Sequence, residues 1–391
     1  MSLTLTRRHN VDRFGYLIPT RYGNVPMVGA VATYRPGEGR FGGAVAVEEG
    51  TTNLHTKAFA SSWAGISPPN ATVEDIEVDG FTWAKRYSSD GQLSGNIYNI
   101  VSIPCNPSQT YTFSVWVRRV SGSITGECYM YLRTDADTNN IARLDLNDDM
   151  LPIGQWRRFS ITGTTQATAT QFTRASFLVN RVNAVVLEIA DWQLEAKPFA
   201  TSFVDGTRAA GQLRYPWNWF KTPFTWAFWL RPGRNRSDYS VRTQLLRAMQ
   251  NVNDYISVEF RADYAHKPFA FVFWQSGVWH QYELNVNFSA GEWLFVALAF
   301  DGATGTLYVG RAGTLYSVRG TPTVLVGGPG DLLVNPSLLD FLFDELLILP
   351  YAASEEEIRS WYEADGPLPP HPDALLQWDW QAVRPATMVA L

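Results

Sequence analysis

Between Tyr111 and Arg118 the chain alternates with a period of two. Tyr111, Phe113, Val115 and Val117 fall on one side of an extended backbone, and Thr112, Ser114, Trp116 and Arg118 on the other. The run ECYMYLR repeats the pattern, with Cys128, Met130 and Leu132 on one side and Glu127, Tyr129, Tyr131 and Arg133 opposite. Such alternation belongs to an antiparallel sheet with one buried face. FTWAKRY, IYNIVSI, FTRASFLV and AVVLEIA add strands at sandwich-like spacing. Farther on, PFTWAFWLRP, YISVEFRA, KPFAFVFWQ and GEWLFVALAFDG continue in the same style, and Leu294 to Phe300 is apolar on both faces, as the centre of a two-layer sandwich requires.

One break divides these strands. VVLEIADWQLE ends in Lys197-Pro198, a short extended passage follows, and Asp205-Gly206 makes a turn. The expected class is all-β, with two tandem antiparallel β-sandwiches (jelly rolls) at residues 51–206 and 211–365. An extended N-terminal arm (1–50) with one or two short strands and a Pro-rich C-terminal tail (366–391) flank them. YPWNWF, with Tyr215, Trp217 and Trp219, reads as a hydrophobic joint between the two. One helix is predicted where Ser354 and Glu357 form a capping box ahead of Ile358, Trp361 and Tyr362. In the tail, Leu375, Leu376, Trp378 and Trp380 are too apolar for water and should pack on the body or on a partner.

Composition narrows the function. The 391 residues imply two cores, and 46% hydrophobic residues are ample to fill them. With 32 Lys+Arg against 37 Asp+Glu, the net charge is −5 and no basic stripe appears, which argues against nucleic acid. No apolar run is long enough for a membrane span. The start, MSLTLTRRHNVDRFGY, lacks the apolar core of a secretory signal, so the chain is expected to fold where it is made or to leave by another route. Cys105 and Cys128 are read as two unpaired thiols, with a disulfide as the alternative.

The order of EEGTTNLHTKAFASSWAG, YTFSVWVRR, GQWRRFSITGT and DWQLEAKPFATSFVDGT resembles the carbohydrate-binding-module-like jelly rolls of bacteriophage tail and fibre proteins. That resemblance covers about residues 46–206. From PFTWAFWLRP to FDELLILPYAASEEEI, residues 211–365 resemble the laminin-G or concanavalin-like jelly roll. Together they imply a structural virion protein, made in the host cytoplasm and present in several copies or as a homo-oligomer among other virion proteins. Its role would be to bind or display toward host-surface glycans.

Sugar rings offer apolar C–H faces ringed by hydroxyls, so a site for them needs flat aromatics beside charged hydrogen-bonding groups. Trp116, Arg118, Glu127, Tyr129, Tyr131 and Arg133 supply that mixture, provided their two strands pair and share a face. The alternative is that this face is covered by the arm, the second domain or a neighbour in an assembly. Trp83 and Tyr87 are read as core. Trp274, Trp279 and Tyr282 cluster near a probable hairpin.

No cofactor is expected. Asp135-Ala-Asp137-Thr-Asn139-Asn140 opens like a calcium loop, but Asn140 and Leu146 stand where Gly and Glu are needed, which favours a solvated turn over calcium. His9, His55, His266, His280 and His371 show no metal spacing. There is no nucleophile elbow or P-loop, and no E-x-D-x-x-E strand; Asp344 and Glu345, being adjacent, should point to opposite faces. The chain is thus expected not to be an enzyme. The alternatives are a capsule depolymerase whose carboxylates come from separate strands, or a secreted bacterial glycan-binding adhesin.

Overall fold

A computed structural model describes residues 32–36, 38–64, 70–78, 81, 83–91, 96–99, 101–180, 184–208, 210–211, 213–217, 223–262, 268–275, 277–322 and 330–378. The fold is all-β, as expected, and divides into two compact units. One spans Gly50–Arg208; the other is built from the chain on both sides of it.

In the smaller unit one sheet runs in the order Trp156–Thr164, Thr110–Gly122, Val185–Glu195, Ala84–Ser89, Ala71–Ile76. The second runs Ala142–Asp145, Glu127–Thr134, Gln171–Asn180, Asn96–Asn99, Trp63–Ala64, with Ile103–Pro104 also on Gln171–Asn180. Phe113, Val115, Val117, Met130, Leu132, Phe177 and Trp192 fill the space between them, so the period-two reading of both marker strands holds. Trp83 and Tyr87 are buried here too. A bulge at Asp191, with φ 50°, resets the alternation, so that Ile189 and Trp192 both face the core. Asp191 pins the bulge by accepting the Trp83 N–H at 3.1 Å.

In the larger unit one sheet runs Ala32–Pro36, Gly43–Val47, Phe341–Leu349, Phe224–Pro232, Leu294–Phe300, Gly305–Arg311, Thr314–Gly320, with Leu376–Gln377 added to Phe341–Leu349. The other runs Leu213–Trp217, Gly330–Val334, Arg242–Asn251, Asp254–Arg261, Phe269–Gln275, Val278–Leu284. Trp226, Phe228, Phe260, Phe271, Phe300 and Phe343 form the core. Helix Glu355–Glu363, capped by the Ser354 hydroxyl, lays Ile358, Trp361 and Tyr362 over Ala227, Trp229 and Phe295 on the far side of the first sheet. This cover explains why Leu294–Phe300 is apolar on both faces. Gly310 lets the helix seat, since a Cβ there would lie 2.6 Å from the Tyr362 ring.

The stretch expected as an arm holds two short strands: Ala32–Pro36 pairs with Gly43–Val47, which pairs with Phe341–Leu349 in the larger unit. Of YPWNWF, residues 218–220 lie outside the described residues. Leu213–Trp217 is a strand, and Tyr215 is buried, accepting the indole N–H of Trp378 at 3.0 Å. The tail therefore closes its own unit as far as Trp378; Trp219, Trp380 and residues 1–31 lie outside the described residues. Asp344 and Glu345 do not point to opposite faces. A bulge with Glu345 at φ 54° turns both toward the helix-covered side, where Asp344 accepts the Phe41 N–H and Glu345 the Leu368 N–H, each at 3.1 Å.

Candidate functional site

The six candidate residues of the smaller unit do not form one surface. Thr110–Gly122 pairs with Trp156–Thr164 and Val185–Glu195, whereas Glu127–Thr134 pairs with Ala142–Asp145 and Gln171–Asn180. The two strands lie in different sheets and turn their polar sides in opposite directions. Two runs adjacent in sequence need not be neighbours in a jelly roll, because connections cross from sheet to sheet.

On the five-stranded sheet, register sets Trp156, Arg118, Glu188, Arg86 and Glu74 in one row across all five strands. Arg118 Nε donates to Glu188 at 2.8 Å and Arg86 Nη2 at 2.7 Å, and Arg86 lies 3.8 Å from Glu74. The Arg118 guanidinium sits 4.8 Å from the Trp156 ring centre, and Phe81 bridges Trp156 at 4.4 Å and Trp116 at 5.8 Å. Alternating charge makes this row self-satisfying.

On the six-stranded sheet, Tyr129 and Tyr131 are 8% and 3% exposed and pack on Leu178. The Arg143 guanidinium covers Tyr129 at 3.7 Å, and Arg133 lies 5.7 Å from Tyr131 while bonding Asn140 at 3.0 Å. Burial pushes both phenols above their ordinary range. These tyrosines are nearly enclosed, with arginines of their own sheet beside them. Glu127 is exposed, 3.7 Å from Arg143.

The resemblance motifs themselves build a clasp. The Asn53 side chain donates to Trp192 O and Val204 O and accepts the Leu194 and His55 amides. Gln193 accepts the Val204 N–H at 2.7 Å and donates to Thr201 O at 3.0 Å. Glu195 accepts the Thr51 hydroxyl at 2.7 Å and the Thr201 amide at 2.9 Å. All three side chains are buried, so these polar motif residues hold the unit shut.

The larger unit carries a different arrangement on the outer side of Arg242–Asn251, Asp254–Arg261, Phe269–Gln275 and Val278–Leu284. Tyr255, Trp274 and Trp279 are directly paired across three strands, with ring centres 5.8 and 4.9 Å apart. Arg242 pairs with Arg261, about 20 Å along its strand from Tyr255 by the ordinary rise, yet its guanidinium reaches the Tyr255 hydroxyl at 3.1 Å and lies 4.2 Å from the Trp279 ring. The sheet must curl inward for these side chains to meet. Beneath them Glu259 is fully buried, held by Arg242 at 2.5 Å through both oxygens and by the Ser257 hydroxyl at 2.6 Å.

Residues 205–359 match the family model of the concanavalin A-like lectin/glucanases superfamily. That stretch holds the whole aromatic row. A search of curated proteins returns no match. Among solved structures, the enzymatically active domain of tailspike protein 2 from bacteriophage CBA120 is similar at 10% identity, over 44% of this chain and 29% of its own, with a TM-score of 0.36. Domain 4 of AbnA, an extracellular arabinanase from Geobacillus stearothermophilus solved with arabinotriose, shares 18% identity over 39% of this chain and 72% of its own, at 0.32. The baseplate tripod of bacteriophage Tuc2009 shares 10% over 75% and 96%, at 0.28.

Sequence reasoning noted Trp274 and Trp279 of the concanavalin A-like unit but grouped them with Tyr282, which faces the other way and stacks on Phe271 at 4.8 Å. It missed Tyr255, Arg242 and Glu259. The signal was present in YISVEFR, where Tyr255, Ser257, Glu259 and Arg261 alternate with the core residues Ile256, Val258 and Phe260.

Metal and acid–base chemistry find little on the described residues. Asp135 accepts the Thr170 and Gln171 amides, Asp137 bonds Asn139, and no group of three or more His, Cys, Asp or Glu among the described residues is placed to hold a metal. Cys105 and Cys128 are unpaired. His55 is buried between the carbonyls of Thr56 and Ala175, and burial lowers its pKa to about 4.

Proposed function

We propose that this chain is a non-enzymatic glycan-binding protein of a tailed-bacteriophage virion, presented in several copies so that weak sugar contacts add up. The glycan reading is carried by the half-buried Trp274 and Trp279, backed by the buried Tyr255 and with Arg242 beside them, in a stretch that matches a lectin and glucanase superfamily. The two indole planes stand 80° apart, so a sugar ring would stack on one of them, whose flat face complements its C–H groups, and meet the other edge-on. Its hydroxyls would meet the guanidinium. Phe81, Trp116, Trp156 and Arg118 of the smaller unit are proposed as an accessory contact surface, since their rings remain half-buried rather than enclosed. Glu127 and Arg133, on the opposite sheet, would then serve another contact or none, and Tyr129 and Tyr131 structure alone. Virion placement rests on the motif order of residues 46–206.

Absence of catalysis is favoured because both oxygens of Glu259 are engaged by Arg242. The second reading, a polysaccharide depolymerase, has one specific observation behind it. Glu259 and Glu283 share this face with Ala270 between them, so two carboxylates stand on one face two strands apart, as a pair of glycosidase carboxylates must.

A glycan array with the wild type and the Trp279→Ala and Trp116→Ala variants tests both parts. Binding lost in Trp279→Ala with unchanged melting supports the reading; binding untouched by that variant overturns it. A fall in polysaccharide viscosity that Glu283→Gln abolishes would establish the depolymerase instead.

A further inference from the structure

Arg247 stands on the same face, two residues from Met249, which is paired with Tyr255. Its guanidinium lies 4.9 Å from the Tyr255 ring centre. Of its five N–H donors, one meets Gln244 Oε1 at 2.9 Å and another the Met249 thioether at 2.9 Å, a weak acceptor. Nε is enclosed with no acceptor, and no carboxylate lies within ion-pair distance among the described residues. Glu259, the nearest source of negative charge, has both oxygens committed to Arg242 and also takes the Ser257 hydroxyl. Desolvation pushes the Arg247 pKa below its ordinary range, with Tyr255 and Glu259 opposing and Arg242 adding to the fall. The neighbouring Trp274 indole N–H is likewise enclosed without an acceptor.

Among the described residues this face therefore holds a surplus of donors and one cation without an ion-pair partner, beside an aromatic row. A half-desolvated guanidinium without a counter-ion costs stability, and a fork of N–H groups fits a planar oxyanion better than it fits a hydroxyl. We propose that the ligand of this face is an anionic saccharide whose acidic group is received by Arg247 while its ring packs against Trp274 and Trp279, one by its face and the other by its edge. The inference rests on the glycan reading above and narrows it to a class. Carboxylate, sulfate and phosphate esters share the required chemistry.

The test is a printed panel of uronate-, sialate-, sulfate- and phosphate-bearing glycans, each beside its carboxyl-reduced or de-esterified form. It is probed with the full-length wild type and with the Arg247→Gln and Trp279→Ala variants. The expected result is binding to acidic members weakened roughly tenfold or more by neutralising the ligand. Arg247→Gln should erase that preference without lowering the melting temperature, while Trp279→Ala removes binding to both forms. Which acidic class binds identifies the oxyanion. Equal binding to acidic and neutral partners, or a preference that survives Arg247→Gln, overturns the anionic assignment and leaves the glycan reading standing. No binding to any member, or binding indifferent to Trp279→Ala, sinks the glycan reading and this inference with it.

Discussion

Two outer faces of this molecule use the same ingredients and reach opposite results. On the five-stranded sheet of the smaller unit, arginines and glutamates alternate across the strands, so Arg118 and Arg86 share the buried Glu188 and Arg86 also faces Glu74. On the six-stranded sheet of the concanavalin A-like unit, one glutamate serves Arg242, and no carboxylate among the described residues pairs with Arg247. The first face spends its charges on its own cohesion; the second leaves a cation and an indole N–H over. Composition alone does not separate a face whose charges are paired from one that leaves a cation over. The pairing register does.

The largest effect should fall on the closed face. Glu188 is 1% exposed at its side chain, so Glu188→Ala leaves two arginines facing each other and is expected to cost roughly 3 kcal/mol. Denaturant unfolding measures this, and a neutral result would remove the contrast between the faces, especially beside an unperturbed Arg247→Gln. Acid should weaken the smaller unit by a similar amount. His55 has a folded pKa of about 4 against an ordinary value of 6.5, so the unfolded chain binds the proton more tightly. Stability is whole above about pH 6.5 and falls as the pH drops toward 4, by about 3 kcal/mol in all. His55→Gln should flatten that slope in melts across the range; an unchanged slope assigns it to other groups.

Next comes the clasp. Asn53→Ala removes two donations and two acceptances from buried backbone groups and is expected to cost roughly 2 kcal/mol or more. A shift well under this would mean that water replaces the amide, and that the motif serves something other than closure. The smallest effect should come from the helix over the larger unit. Ser354→Ala loses the hydroxyl cap on the Glu357 amide and should cost about 1 kcal/mol without altering glycan binding, since the helix covers the other sheet. Altered binding would show that the covered and uncovered sheets are coupled.

Much of the fold was legible. The alternation of Tyr111 to Val117 and of Cys128 to Leu132 named their core faces correctly, because a strand's side chains can only alternate. The helix at Glu355–Glu363 was legible from Ser354 and the apolar spacing of Ile358, Trp361 and Tyr362. The candidate site was legible residue by residue and wrong as an assembly. That Trp116 and Tyr131 each turn away from the core is a local fact; that they lie in different sheets depends on which strands pair.

What the sequence determined by itself is the local order: which residues are strand, which side of each strand is apolar, where turns and caps fall. These follow from sterics and hydrophobic period within a few residues. Only the tertiary structure decided that Gly43–Val47 joins a sheet formed mostly by residues some two hundred and more positions later, that bulges at Asp191 and Glu345 shift the alternation, and that Arg118 finds a carboxylate while Arg247 finds none among the described residues. Pairing between strands far apart in the chain is selected by the summed burial of whole faces, and no short stretch of sequence contains that sum.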